Sequence, residues 1–291
     1  MSEAFGGQNM VGRLRRVVVR RPDEAMAAAD PAAWHYASRV VLAGAQAAHD
    51  ALTTILRDEG VDVIYHDEPL PHLADSIFVY DPVLVADAGA IILQLGKTLR
   101  RGEEDAFERL LRRLGVPILG RLGGEALGEG GDMFWLDPET LAVGVGFRTN
   151  YEAVRQLRAI LGPAGIMVLS FELPCLGGPE ACLHLMSLIS PVDVDLAVAY
   201  PPLMPVPLWQ ELHRRGMHLL EVPEDEFLRW QGTNVLALAP RRVVMLEGNP
   251  VAKRLLEENR CTVSTFPGKD LSFKTEGGPT CMTRPILRDR V

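Results

Sequence analysis

A thiol, an imidazole, an amide and two carboxylates stand at matching places along this chain. They are Asp75 in DSIFVYD, Asp132 in GDMFWLD, His184 in LHLMSLIS, Asn234 in TNVLALAP and Cys281 in TCMTRPIL. A cysteine becomes a strong nucleophile where a cation or an acid–base partner favours its thiolate. A histidine beside it can protonate a leaving group and then take a proton from water. The five segments recur about every 50 residues, a period that points to structural repeats. Repeats ringing an axis would bring all five groups to one centre.

Each group also has a plainer reading. Cys281 follows Gly277-Gly278-Pro279-Thr280 in what reads as the final strand, and glycines there let backbone approach a ligand closely. A single cysteine is more often a buried, inert thiol. His184 lies in the apolar run CLHLMSLIS, read as a strand, where a satisfied core histidine is the ordinary outcome. Glu129 and Asp132 surround Gly130-Gly131, and the Met133-Phe134-Trp135 that follows implies burial. Buried carboxylates need partners, so an imidazole or a guanidinium is expected against them. Asp75 and Asp81 flank SIFVY in the same manner. Arg100, Arg101 and Arg148 could grip a substrate carboxylate bidentately, or be solvated surface charges. Cys175, Cys182 and His184 fit no trusted zinc spacing, so no metal site is expected.

The elements that must position these residues repeat as strand, turn, strand, helix, strand. One unit runs DSIFVYDP, AGAIILQL, the helix EEDAFERLLRRLG, then VPILGRL. Acids open that helix, arginines close it and Gly115 stops it, as the helix dipole and C-cap prefer. The next has a helix from Tyr151 to about Leu161; a third opens its helix at Pro207. A fourth begins with Asn249 as cap and Pro250 in the first turn. The fifth unit is split, with TCMTRPILR ending the chain and RRVVVRRP, a helix from about Ser38 to Glu59, and VDVIYHDE beginning it. Sharing one module between the two ends would close a ring and leave no raw edge. The expected architecture is one domain over 1–291, a closed α/β ring of ββαβ modules with helices outside. The alternative is a generic mixed α/β sandwich.

Composition narrows the function classes. The formal charge is −8 from 30 Lys and Arg against 38 Asp and Glu, and basic clusters are short. A nucleic-acid partner is therefore not expected. No apolar run approaches the roughly 20 residues of a membrane span, and MSEAFGGQNM lacks the marks of a secretory signal. A cytoplasmic location and free thiols follow as expectations. A homo-oligomer is compatible with the sequence.

The ordered strings DSIFVYDP, RRGE, EGGD, FRTN, LHL and GGPTCMTRP resemble the guanidino-group-modifying superfamily of dimethylarginine dimethylaminohydrolases, arginine deiminases and amidinotransferases. The resemblance runs from about Asp75 to the C-terminus and implies the five-bladed α/β propeller called a pentein. It further implies that Cys281 attacks the guanidino carbon to form a covalent thiouronium, and that His184 protonates the departing amine and then activates water. Glu129 would support His184 and the guanidinium, Asp81 would bind guanidino nitrogens, and Asp75 would help position substrate. Arg100 and Arg148 match positions associated with the amino-acid end of the ligand or with pocket order. A small guanidino substrate is implied, with no metal or organic cofactor.

Three features bear on the branch. The chain has no room for the helical insertion typical of bacterial arginine deiminases. Met186 stands where those enzymes carry an acid two residues after the histidine, which suits an N-alkyl group. Tyr80 stands where dimethylargininases usually carry Glu, and GGPTCMTRP looks closer to the deiminases and amidinotransferases. Methylated arginine is the first expectation, plain arginine the second; another guanidino compound, amidino transfer, a binding propeller and a cysteine protease are the alternatives.

Overall fold

The computed structural model describes residues 4–179 and 181–291. Short runs of β-branched and apolar residues between turns form its strands: β1 (Leu14–Val19), β2 (Asp62–Tyr65), β3 (Val83–Ala86), β4 (Gly89–Ile92) and β5 (Ile118–Arg121). Then come β6 (Met133–Asp137), β7 (Thr140–Val145), β8 (Met167–Glu172), β9 (Ile189–Asp193) and β10 (Leu196–Ala199). The last are β11 (His218–Glu221), β12 (Val235–Ala239), β13 (Arg242–Leu246), β14 (Thr262–Phe266) and β15 (Arg284–Arg288).

These make five three-stranded sheets. In one, β3 and β4 pair antiparallel across a tight turn, and β5 returns parallel to β4 after the helix Glu103–Arg113. A parallel return requires such a crossover. β6–β8, β9–β11 and β12–β14 repeat the order across the helices Tyr151–Leu161, Val206–Arg214 and Pro250–Glu258. The fifth sheet joins the chain's two ends: β15 lies antiparallel to β1, and β2 parallel to it beyond the helix Leu42–Asp58. Local signals behave largely as read. Glu103, Glu104 and Asp105 open one helix, and Asn150 caps another by accepting from Ala153 N at 3.0 Å. Asn249 departs from expectation: its amide donates to the carbonyls of Trp230 and Leu246 instead of capping.

Strand alternation closes the ring. Val17 and Val19 face one cluster, shared with Leu236, Val244 and Leu246; Val18 faces another, shared with Val83, Val85 and Ile92. Leu84 and Ile91 meet Met133 and Val143, Phe134 and Ala142 meet Ala197 and Leu208, and Leu196 and Val198 meet Val235 and Met245. Every sheet thus buries both faces, each against a neighbouring sheet, and the five interfaces return to the first sheet. Burial of a side chain such as Leu84 or Val244 contributes roughly 1.5–3 kcal/mol.

One expectation is corrected. The polar residues stand in the turns that lead into the first strand of each blade, not on the strands. Asp75 lies in a 3-10 turn (Ala74–Ile77), Asp132 in another (Gly130–Asp132), and His184 caps a short helix (Leu185–Leu188) ahead of β9. Asn234 directly precedes β12, and Cys281 stands before β15. Turn geometry lets these side chains leave the sheet and converge at one end of it.

A chain ending before Arg284 would lack β15, exposing the edge of β1 and removing Ile286 from its cluster. The expected outcome is loss of cooperative unfolding by circular dichroism; a sharp, reversible transition would contradict ring closure as a stability requirement.

Candidate active site

Glu129 is wholly buried and anchors the site. Its Oε2 lies 2.7 Å from His184 Nε2, and its Oε1 accepts the backbone N–H of Lys97 at 3.0 Å. Arg148 Nη1 approaches both oxygens at 3.4–3.5 Å. The adjoining glycines are dictated by crowding. A Cβ on Gly131 would lie 2.3 Å from His184 Nδ1, and one on Gly130 would lie 2.2 Å from the Tyr80 carbonyl oxygen. The imidazole therefore packs directly on bare backbone.

Asp81 closes the next side. Its Oδ1 accepts from Gly131 N at 2.9 Å and its Oδ2 from Arg100 Nη1 at 2.6 Å. Arg100 is fully committed: its remaining donors go to Glu103 and to the carbonyl of Phe78. Polar atoms of Asp81, Glu129 and His184 all lie within 4.8 Å of one another. That spacing could hold a metal, but each carboxylate is already held by a guanidinium, and a planar cation suits the same gap. Asp132 sits behind, its Oδ1 accepting from Leu185 N at 2.9 Å and so fixing the turn that carries His184.

The charges follow from burial and neighbours. Burial works against an imidazolium at His184, but the Cys182 thiol, Asp132 and Asp81 overcome it and raise its pKa well above the usual value. Burial likewise opposes charge on Glu129, yet the hydrogen bond to His184 and the fields of His184, Arg148 and Arg100 hold it well below the usual carboxylate range. The pair is an ionised carboxylate on a protonated imidazole. Asp132, where burial dominates, is pushed up to about 6.

Cys281 reaches the same centre. Tyr80 N donates to its carbonyl at 3.2 Å, which sets Cys281 beside Asp81 in the chain. Asn234 Nδ2 donates to Sγ at 3.3 Å, and Asn234 Oδ1 accepts from Thr280 N at 3.1 Å. Burial and the charge of Asp81 push the thiol up; Asn234, the Gly278 N–H and His184 pull the other way without prevailing. The resting thiol is protonated. Asp81 and His184 thus both act on Cys281, so sulfur and imidazole share one electrostatic centre.

Other candidates lie at the rim or below. Asp75 is occupied, accepting from Tyr36 OH at 2.7 Å and from Lys97 Nζ at 2.5 Å. Lys97 also lies over the Trp34 ring at 5.0 Å and donates to the Trp34 carbonyl. These contacts pin the stretch from Pro22 to Tyr36, whose two short helices are Glu24–Ala28 and Pro31–Trp34. Met186 and the Tyr80 ring are buried together in an apolar cluster and line a cavity behind the acids. Cys182, exposed, holds Sγ at 3.7 and 3.8 Å from the two His184 ring nitrogens. Lys97 and Cys182 are the contributors that sequence reasoning did not assign to the site. Cys182 was findable, since residues two apart in extended chain share a side; no local pattern marks Lys97.

The profile of the arginine deiminase family matches residues 66–210 and 205–288. Arginine deiminase of Listeria welshimeri is 29% identical over 266 residues, covering 77% of this chain and 63% of its own length. The chain thus spans less than two thirds of that relative. YkgA of Bacillus subtilis, whose function is uncharacterised, is 26% identical over 243 residues, 82% of this chain and 79% of that protein. Among solved structures, the citrulline complex of a Pseudomonas aeruginosa DDAH variant has a TM-score of 0.79 at 24% identity, covering 95% of this chain and all of that one. SxtG, an amidinotransferase of Microseira wollei, has 0.79 at 17%, covering 99% and 98%. These two likenesses establish the fold, a five-bladed α/β propeller.

Asp132 gives a pH test. Its folded pKa of about 6 lies above the unfolded 3.8, so its stabilising effect is complete below the unfolded value and is lost as pH rises toward 6. Asp132→Asn keeps an acceptor for Leu185 N and removes that loss. The variant is expected to gain roughly 3 kcal/mol on wild type between pH 4 and pH 7 in urea unfolding. Parallel pH profiles would contradict the assignment.

Proposed function

The chain belongs to the arginine deiminase family, and on that footing we propose that it is a C–N hydrolase of linear guanidines, yielding citrulline and an amine. The observation that carries the reading is the cluster of Asp81, Glu129 and His184 within 4.8 Å, with Cys281 in its field. A planar cation seated there meets two carboxylates, which keep it protonated and its central carbon electrophilic. Its charge offsets Asp81, which together with burial holds the thiol neutral, and so favours the thiolate, the thiol proton passing to solvent.

The sulfur of Cys281 then adds to the guanidino carbon, forming the C–S bond. His184, already protonated beside Glu129, gives its proton to the departing nitrogen as the C–N bond breaks. A thiouronium remains on Cys281. Neutral His184 takes a proton from water, the hydroxide adds to the same carbon, and the C–S bond breaks to release the ureido product and the thiol. Asn234, hydrogen-bonded to Sγ, holds the nucleophile in line.

Methylated arginine is the first substrate assignment. Met186 supplies no acid two residues beyond His184, leaving one nitrogen of the guanidinium without a charged wall. Plain arginine is the second, favoured by the arginine deiminase relatives. We assign the activity to the cytoplasm and to a single domain; the sharing of one sheet by the first and last strands supports the latter.

The test is a panel of guanidino compounds with citrulline and released amine measured together. Wild type is expected to release dimethylamine or methylamine with citrulline in equal amounts. Cys281→Ser should lose at least about a thousandfold in kcat while keeping its circular dichroism spectrum. Normal turnover by Cys281→Ser, or no product from any guanidine, would contradict the proposal.

A further inference from the structure

One buried side chain links three segments that carry the site. Arg284 opens β15 three positions beyond Cys281 and is 4% exposed. Its guanidinium stacks 3.5 Å from the centre of the Tyr80 ring and donates to the Tyr80 carbonyl. A Cβ on Gly130 would lie 2.6 Å from Arg284 Nη2, so the same group packs on the bare backbone between Glu129 and Gly131. Tyr80 N in turn donates to the Cys281 carbonyl at 3.2 Å, and Gly130 N to the Asp81 carbonyl at 3.0 Å. The thiol, the acid at Asp81 and the acid that holds His184 are thus tied through one guanidinium.

Stability alone does not explain a guanidinium in this place. Among the described residues, no carboxylate lies within ion-pair distance of Arg284, and the nearby Asp81 is taken by Arg100. The buried Nε of Arg284 has no hydrogen-bond partner. Burial lowers its pKa from the usual arginine value, with Tyr80 and Asp81 opposing. A buried ion without a counter-ion is destabilising, and an apolar side chain of similar volume is often the more stable occupant. An apolar chain, however, cannot lie flat on an aromatic face while donating to a carbonyl at a fixed angle. The planar fork of arginine does both.

We propose that Arg284 is a positioning residue for the attack of the thiol. Acting through Tyr80 and Gly130, it fixes the gap between Cys281 Sγ and the carbon of a guanidinium seated on Asp81 and Glu129. The inference rests on the hydrolase reading above. A misplacement of reacting atoms by about 1 Å costs roughly a hundredfold in rate. Attraction between a cation and two carboxylates falls off slowly with distance and tolerates the same shift. Loss of the clamp therefore acts on turnover and spares binding.

The test compares Arg284→Met and Arg284→Lys with wild type, using the guanidine that wild type turns over fastest, together with thermal unfolding. For Arg284→Met, kcat is expected to fall roughly a hundredfold while KM stays within about threefold. Its Tm is expected at or near the wild-type value. Arg284→Lys keeps the charge without the planar fork and should not restore kcat. Wild-type kcat in folded Arg284→Met, a rise in KM alone, or recovery by Arg284→Lys would overturn the proposal. So would a kcat loss no greater than the unfolded fraction accounts for. If Arg284→Met does not fold, Tyr80→Leu decides, since it removes the ring and keeps the carbonyl. Its kcat should fall about tenfold at unchanged KM; an unchanged kcat would overturn the clamp. A wild type that turns over no guanidine sinks the hydrolase reading and this inference with it. The other contrary outcomes sink this inference alone.

Discussion

Glu129 has no contact with water and is nonetheless ionised, and much of the site follows from that one constraint. An isolated carboxylate in such a place would be neutralised or would unfold its surroundings. It is kept by His184 at 2.7 Å, by Arg148 and by the Lys97 N–H. Those partners need anchoring in turn. Gly131 gives the imidazole room to lie against the backbone, Asp132 fixes the turn that carries it, and Asp81 ties the Gly130–Asp132 turn to Arg100. A histidine protonated by its neighbours and a thiol kept protonated by burial and Asp81 are a loaded acid and a dormant nucleophile. A cation placed between the acids changes the second and leaves the first ready.

The propeller supplies what this arrangement needs: rigid approach from several directions. Each blade buries both faces of its sheet, so the turns entering the first strands are fixed from behind by packed side chains. Residues more than two hundred positions apart, such as Tyr80 and Cys281, can then hold a backbone hydrogen bond at 3.2 Å. The joint of β1 with β15 does for the ring what a turn does for a hairpin.

The fold was largely legible because its repeats are local: apolar runs, capped helices and turns recur in order, and the helix Tyr151–Leu161 has the bounds its pattern suggested. His184 was misplaced on a strand because its apolar neighbours do not distinguish a strand from one helical turn entering it. The ordered motifs pointed to Glu129, Asp81 and Cys281, but not to how they are shared. Asp75 is spent on Tyr36 and Lys97, and Arg100 on Asp81 and Glu103. Arg100 and Glu103 are only three apart, but the other pairings join residues from separate turns or loops, and no spacing rule encodes them.

The central claim is that a bound cation turns a protonated Cys281 into a nucleophile within a carboxylate cage. The direct measurement is the thiolate absorbance of Cys281 across pH, with and without guanidinium ion, using Cys281→Ala as the blank. The account expects a free-enzyme pKa above that of an ordinary thiol, falling when the cation is bound, and no such fall in Asp81→Asn. A thiol already ionised at neutral pH in the free protein, or one indifferent to the cation, would contradict it.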